Sequence, residues 1–166
     1  ILADDMGLGK TLQALAMICH ARDRDRGAGP FLVVAPTSVV SNWVSEATRC
    51  APGLRVEAVT DTLARAGRAI DEVAAAADVV VTTYTLFRLD ADDYHAVDWA
   101  GLILDEAQYV KNHQGKTYGC VRQLAAPFKL AITGTPMENN LTELWSLLSI
   151  TAPGLFPAPK RFAEQY

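Results

Sequence analysis

The chain has 166 residues, half of them hydrophobic and 20% charged, with a net charge of −4. That is enough apolar material for one domain with a packed core, and it excludes a disordered, collagen-like or mucin-like chain. With 15 basic against 19 acidic residues, it also excludes a protein that wraps nucleic acid by bulk charge; any such contact must be local, or shared with other parts of a longer chain.

Ile1-Leu2-Ala3 reads as the end of a buried strand, and the sequence as a portion of something longer. Lys10 to about Arg22 has apolar residues at helical spacing (Leu12, Leu15, Ala16, Ile18). Arg22 to Gly27 is a mixed-charge turn. Phe31–Ala35, closed by Pro36, reads as a buried strand. Val39 to Cys50 follows as a helix, with Thr37 or Ser38 as its N-cap. Leu54 to Val59 is a third strand, and the Ala-rich stretch Leu63 to Ala77 a helix. Asp78 to Thr82 and Gly101 to Leu104 read as core strands. Lys116 to Leu124 is a helix and Phe128 to Ile132 a last strand. Asn140 and Glu143 resemble a capping box opening a helix through Leu148. The tail from Pro153 has three prolines and reads as leaving the domain. Such alternation predicts an α/β fold, a parallel sheet with helices on both faces, with ligands at the carboxyl ends of the strands.

No apolar run approaches the ~18 residues that span a bilayer, and the opening residues do not read as a secretory signal. Cys19, Cys50 and Cys120 form no CxxC pair, so neither zinc nor a disulfide framework is indicated, and a reducing compartment fits. Arg outnumbers Lys by 10 to 5, which points toward a GC-rich bacterial genome.

Asp4-Asp5-Met6-Gly7-Leu8-Gly9-Lys10-Thr11 lies between the first strand and the first helix. Glycines there let backbone N–H groups curl around a phosphate, beside the positive end of a helix. Met6, Gly7, Leu8, Gly9, Lys10 and Thr11 are thus candidate nucleotide-binding residues. Lys10 would reach the β- and γ-phosphates, and the Thr11 hydroxyl would hold Mg²⁺. Asp4 replaces the first glycine of the usual pattern. Asp105-Glu106-Ala107-Gln108 ends the strand Gly101–Leu104. Adjacent carboxylates at a buried strand end are costly unless something binds them, and a phosphate-bound Mg²⁺ would do so. Asp105 is the candidate metal contact, through water, and Glu106 the residue that orients or deprotonates an attacking water. An acidic helix N-terminus is the bland alternative.

These strings, with Thr133-Gly134-Thr135-Pro136, resemble motifs I, II and III of the superfamily 2 helicase-related ATPases. The longer matches, Asp105 through Asn112 and Thr133 through Leu147, resemble the Swi/Snf-type DNA translocases. The resemblance implies a RecA-like P-loop NTPase lobe over residues 1–150, with 151–166 an exit segment toward an inserted region and a second lobe. It implies ATP and Mg²⁺ as cofactors and double-stranded DNA as partner. It also implies DNA-dependent ATP hydrolysis in the full-length parent, with negligible activity in the chain alone. The second lobe, which supplies the arginine finger, and an adenine-contacting upstream segment are not expected here. Ala35 through Trp43 and Thr82-Thr83-Tyr84 resemble motifs Ia and Ib, which imply DNA-phosphate contacts by Thr37, Ser38, Thr83 and Tyr84. Thr133, Gly134 and Thr135 would couple the ATP and DNA sites. Trp43 reads as core packing, while capping accounts equally well for Thr37 and Ser38. His113 and Gln114 receive no role. An RNA helicase lobe of the same superfamily, or a nucleotide-dependent scaffold without motor activity, are the alternatives. DNA-bound protein complexes are further partners. The expected location is the cytoplasm or nucleoid of a bacterium, or the nucleus of a eukaryote, with no membrane association.

Overall fold

The structure is a computed structural model, and it describes residues 1–5, 7–138 and 140–165. Six parallel strands form one sheet: β1 (Leu2–Ala3), β2 (Phe31–Ala35), β3 (Val56–Ala58), β4 (Val79–Thr83), β5 (Gly101–Leu104) and β6 (Lys129–Thr133). Their spatial order is β1-β6-β5-β2-β4-β3. Every residue of β2, β4 and β5 is buried. These strands are covered on both faces, which is why β2 and β5 read as apolar runs rather than alternating ones, and β4 as three valines followed by two buried threonines.

Side chains of period two divide between two cores. Phe31, Val33, Val79, Val81, Ile103 and Ile132 face α1 (Lys10–Arg24) and α2 (Thr37–Cys50). Leu32, Val34, Val80, Leu102, Leu104 and Ala131 face the other way. That second face is covered by α3 (Leu63–Ala66), α4 (Ile70–Ala76), α5 (Tyr84–Leu89), α6 (Ala91–His95), α7 (Lys116–Gln123) and α8 (Leu141–Thr151). A last helix, α9 (Pro159–Gln165), packs on α8. Phe162 of α9 is buried, with its ring edge-on to Phe156 at 4.8 Å. The Trp145 indole N–H donates to the Phe156 carbonyl at 2.9 Å. The proline-containing tail therefore lies against the domain over these residues.

Four local expectations need correction. β1 is an edge strand rather than a buried one: it pairs with β6, and Ala3 is exposed. The helix expected over Leu63–Ala77 is two helices, because Gly67 takes a left-handed conformation (φ 61°) and terminates α3. Only glycine adopts that conformation without strain, so it overrides the helix preference of the alanines around it. Thr37 and Ser38 do not cap α2: Pro36 holds the cap position with extended backbone, and both residues lie in the first turn, exposed, with no side-chain cap bond. Asp78 lies outside β4 and takes part in an ion-paired cluster at its start. The Asn140 cap is present, its side chain accepting from the Glu143 N–H at 3.2 Å.

Candidate functional site

The loop from β1 to α1 turns on two glycines with left-handed backbone, Gly7 at φ 83° and Gly9 at φ 75°. An L side chain at either position would be strained. The glycines that the turn requires are thus in place despite Asp4. The Lys10 ammonium donates to the Asp4 and Asp5 carbonyls at 2.6 and 2.7 Å. Gln13 Nε2 donates to the Leu8 carbonyl at 3.2 Å. The first turns of α1 therefore clamp the loop, with Thr11 half-buried beside Lys10. Met6 lies outside the described residues.

Two strands away, β5 delivers Asp105 and Glu106. Asp105 is buried, and both of its carboxylate oxygens are bonded. Oδ1 accepts the Glu106 backbone N–H at 2.9 Å, and Oδ2 accepts the Trp43 indole N–H at 2.8 Å. Burial pushes the Asp105 carboxyl above its ordinary value; the Trp43 hydrogen bond and the Lys10 charge pull the other way. The chain then turns through Glu106 in a left-handed conformation (φ 49°, ψ 54°), the one such non-glycine among the described residues. A 3-10 turn, Ala107–Val110, follows. Gln108 Nε2 donates to Glu106 Oε2 at 2.8 Å, while Gln108 Oε1 accepts from the Thr133 hydroxyl at 3.0 Å. The Thr133 hydroxyl oxygen in turn accepts the Thr135 N–H at 3.0 Å. A continuous chain of hydrogen bonds thus joins the acidic strand end to the Thr133-Gly134-Thr135 segment.

Gly9, Lys10, Thr11, Asn42, Asp105 and Glu106 line one cleft of about 370 Å³. The oxygens offered there, a threonine hydroxyl and a carboxylate, are hard donors. Among the described residues no group of three or more His, Cys, Asp or Glu is arranged to hold a metal by itself. That donor set fits Mg²⁺, which keeps much of its water shell and takes one or two protein oxygens together with phosphates.

The residues expected to contact DNA divide in two. Thr37 and Ser38 are exposed at the start of α2. Thr83 and Tyr84 are buried, and their hydroxyls are engaged within the domain. Thr83 Oγ1 caps α5 by accepting the Leu86 N–H at 3.1 Å. The Tyr84 hydroxyl donates to the Asp105 carbonyl at 2.7 Å. Its ring is stacked on that of Tyr109, 5.2 Å away and tilted by 3°, and Tyr109 is itself exposed.

Around the site, Trp43 and Lys111 make contacts that the sequence did not indicate. Trp43 is indeed wholly buried, yet it also bonds the site carboxylate; a buried indole N–H ordinarily finds an acceptor, and that was the available signal. Lys111 is buried and holds Glu143 at 3.3 Å and Glu138 at 3.8 Å. Its spacing gave no hint of those partners. His113 fills a structural place, its ring edge-on to Tyr118 and Trp145.

A glycine loop before a helix, facing acidic residues across the carboxyl ends of a parallel sheet, defines a P-loop nucleotide-binding lobe of RecA-like fold. The chain matches the SNF2-related domain over residues 1–166 and belongs to that family. Among similar proteins, a candidate ATP-dependent helicase/translocase of Bacillus subtilis, YwqA, is 40% identical over 99% of this chain and 18% of its own length. The human SWI/SNF-related matrix-associated actin-dependent regulator of chromatin subfamily A member 1 is 39% identical over 98% of this chain and 16% of its own length. The SWI2/SNF2 ATPase core of Sulfolobus solfataricus, solved in complex with dsDNA, superposes with a TM-score of 0.85 at 36% identity. That match covers 99% of this chain and 34% of the solved one. The chain therefore spans less than a fifth of those two curated relatives. No helix among the described residues is long and apolar enough to cross a membrane.

Proposed function

We propose that this chain is the ATP-binding lobe of an ATP-dependent double-stranded DNA translocase or remodeller. The observation that carries the reading is the convergence of Lys10, Thr11, Asp105 and Glu106 on one cleft of an SNF2-family lobe. Gly7, Leu8, Gly9 and Lys10, with Met6 by the sequence pattern, bind the nucleotide phosphates; the α1 N-terminus adds its positive potential. Thr11 and Asp105 hold Mg²⁺, which when bound neutralises charge on the phosphates. Glu106 orients the attacking water and takes its proton. Gln108 fixes one oxygen of that carboxylate, and Thr133 fixes Gln108. A change at Thr133-Gly134-Thr135 is thereby felt at Glu106, which supports the coupling role for that segment.

Duplex contact falls to Thr37 and Ser38, and to the backbone at Thr83 and Tyr84, since the hydroxyls of the latter pair are engaged internally. Short hydroxyls and main-chain N–H groups grip phosphate without a strongly basic surface, in keeping with the net charge of −4. Residues 1–150 form the body of the lobe; 151–166, which include α9 packed on α8, lead on toward a second lobe that supplies the opposite wall of the cleft and an arginine finger. In a bacterium the protein would work in the nucleoid.

Stimulation of ATP hydrolysis in the full-length protein by duplex DNA, duplex RNA or neither tests the reading. Strong stimulation by duplex DNA, insensitive to base sequence and fading with salt, is expected. Preference for RNA would make the chain an RNA helicase lobe. No hydrolysis under any condition would leave a nucleotide-dependent scaffold. The chain alone should hydrolyse ATP negligibly, because an arginine finger contributes ~10³–10⁵ in rate.

A further inference from the structure

The Asp105 carboxylate is held from two sides. Its own strand contributes the Glu106 N–H to Oδ1, and α2 contributes the Trp43 indole N–H to Oδ2. The torsion that turns a carboxylate about its terminal bond is broad and weakly restrained, so an unbonded Asp side chain samples many orientations. Two donors on two different oxygens remove that freedom. Each oxygen keeps a lone pair for a further partner. Trp43 itself has no exposed surface, and its N–H is a donor only. Sixty-two positions separate the two residues in sequence, so the contact comes from the packing of α2 on the sheet. The Tyr84 hydroxyl reinforces the same point from the other face, bonding the Asp105 carbonyl just before the left-handed turn at Glu106.

We propose that Trp43 is a positioning residue for the nucleotide site: its indole N–H fixes the Asp105 carboxylate in the orientation that receives Mg²⁺. The inference rests on the nucleotide-binding reading given above. It differs from a packing role in what matters about the side chain. Packing depends on the volume and shape of the ring system, whereas positioning depends on one hydrogen. Partners that orient a metal-binding group change metal affinity by about 10- to 100-fold when removed. The bond also ties the site to α2, whose first turn carries Thr37 and Ser38, less than two helical turns before Trp43.

The test is Trp43→3-benzothienylalanine, which replaces the indole N–H by sulfur and keeps the ring shape, alongside Trp43→Phe. Binding of ATP to the full-length protein is measured by calorimetry, once with MgCl₂ and once with EDTA. In the unsubstituted protein Mg²⁺ is expected to strengthen ATP binding. In both variants that enhancement should fall by about tenfold, with affinity in EDTA unchanged. Placed on an Asp105→Asn background, where the carboxylate is already gone, the same replacements should cause no further loss. An undiminished Mg²⁺ enhancement in the benzothienyl variant would overturn the proposal. So would an equal loss in EDTA, which is the signature of packing, or an equal loss on the Asp105→Asn background. Failure of the unsubstituted full-length protein to bind ATP at all would overturn the nucleotide reading itself, and this inference with it.

Discussion

Replacing Asp78 by Asn should destabilise the domain by a predictable, pH-dependent amount. Asp78 lies at the start of β4, at the opposite end of the sheet from the cleft, and is 7% exposed. Its Oδ1 accepts from Arg22 Nη2 at 2.6 Å and from Arg55 Nη2 at 3.0 Å. Its Oδ2 accepts from Arg55 Nε at 3.1 Å and from the Arg55 backbone N–H at 2.9 Å. The Arg55 hydrogen bonds lead in holding the carboxyl down, against the opposing effect of burial, from 3.8 to about 2. At about 1.4 kcal/mol for each pH unit between those values, the ionised form contributes about 2 kcal/mol. Breaking a buried pair costs about 3–5 kcal/mol. Here the Arg55 side chain is 60% exposed and can be rehydrated, and Arg22 keeps its bonds to the Ala28 and Gly29 carbonyls. The lower figure therefore governs, and the variant should lose about 2 kcal/mol at pH 7, or about 4 to 8 °C in Tm. A depressed carboxyl stabilises above its unfolded value and loses that contribution as pH falls through its folded value. The stability gap between the unsubstituted protein and the Asp78→Asn variant should thus shrink by about half at pH 3. Urea denaturation of both proteins between pH 7 and pH 3 measures it. A gap that is absent at pH 7, or that keeps its full size at pH 3, would refute the reasoning.

The remaining predictions concern the cleft. Lys10→Ala should weaken Mg²⁺-ATP binding to the chain by about tenfold or more, since bonds from a charged donor are the strong ones; equal affinities by calorimetry would remove Lys10 from the phosphate site. Its effect on thermal stability should be small, because the carbonyls it bonds are exposed. In the full-length protein Glu106→Gln should lower turnover by about 10² or more while sparing ATP binding, and near-normal turnover would remove Glu106 from the chemistry. Glu106→Gly should be equally inactive yet more stable than Glu106→Gln by about 1 kcal/mol, because glycine adopts φ 49° without strain.

What the sequence disclosed about the fold followed how each element is buried. β2, β4 and β5 are covered on both faces and present short apolar runs, the three valines of β4 among them, that no surface helix would carry. α5 and α6, of six and five residues, are too short to show a 3.6-residue period, and the 3-10 turn after Glu106 has no sequence signature of its own. The start of α2 was misplaced by two residues because hydroxyl side chains near a helix N-terminus invite a capping role; Pro36, whose fixed φ suits the cap, had already taken it. Gly67 shows the converse, a single residue whose backbone freedom outweighs the composition around it.

The site was legible wherever its chemistry is local. The phosphate loop is one short stretch of chain, and so is the acidic strand end. What holds these groups in place was not legible, because each support arrives from elsewhere in the fold. Trp43 and Tyr84 meet at Asp105, one at its carboxylate and the other at its carbonyl, and Gln108 meets Thr133 from β6. Sheet order makes these meetings possible: β5 lies between β2 and β6, with β4 next beyond β2, so Trp43 after β2, Tyr84 after β4 and Thr133 at the end of β6 all reach the residues that follow β5. A glutamate at φ 49° belongs to the same logic. Glycine would make that turn without steric strain, yet it would carry no carboxylate. The strain is tolerated because Asp105 Oδ1 bonds the Glu106 N–H, Gln108 bonds its carboxylate and the Tyr109 N–H bonds its carbonyl. Each of those bonds restrains the conformation in which the Glu106 side chain reaches the cleft. The protein thus gives up conformational ease at one position to keep a carboxylate beside the phosphate loop, and it anchors the far end of the sheet with Asp78 and its two arginines.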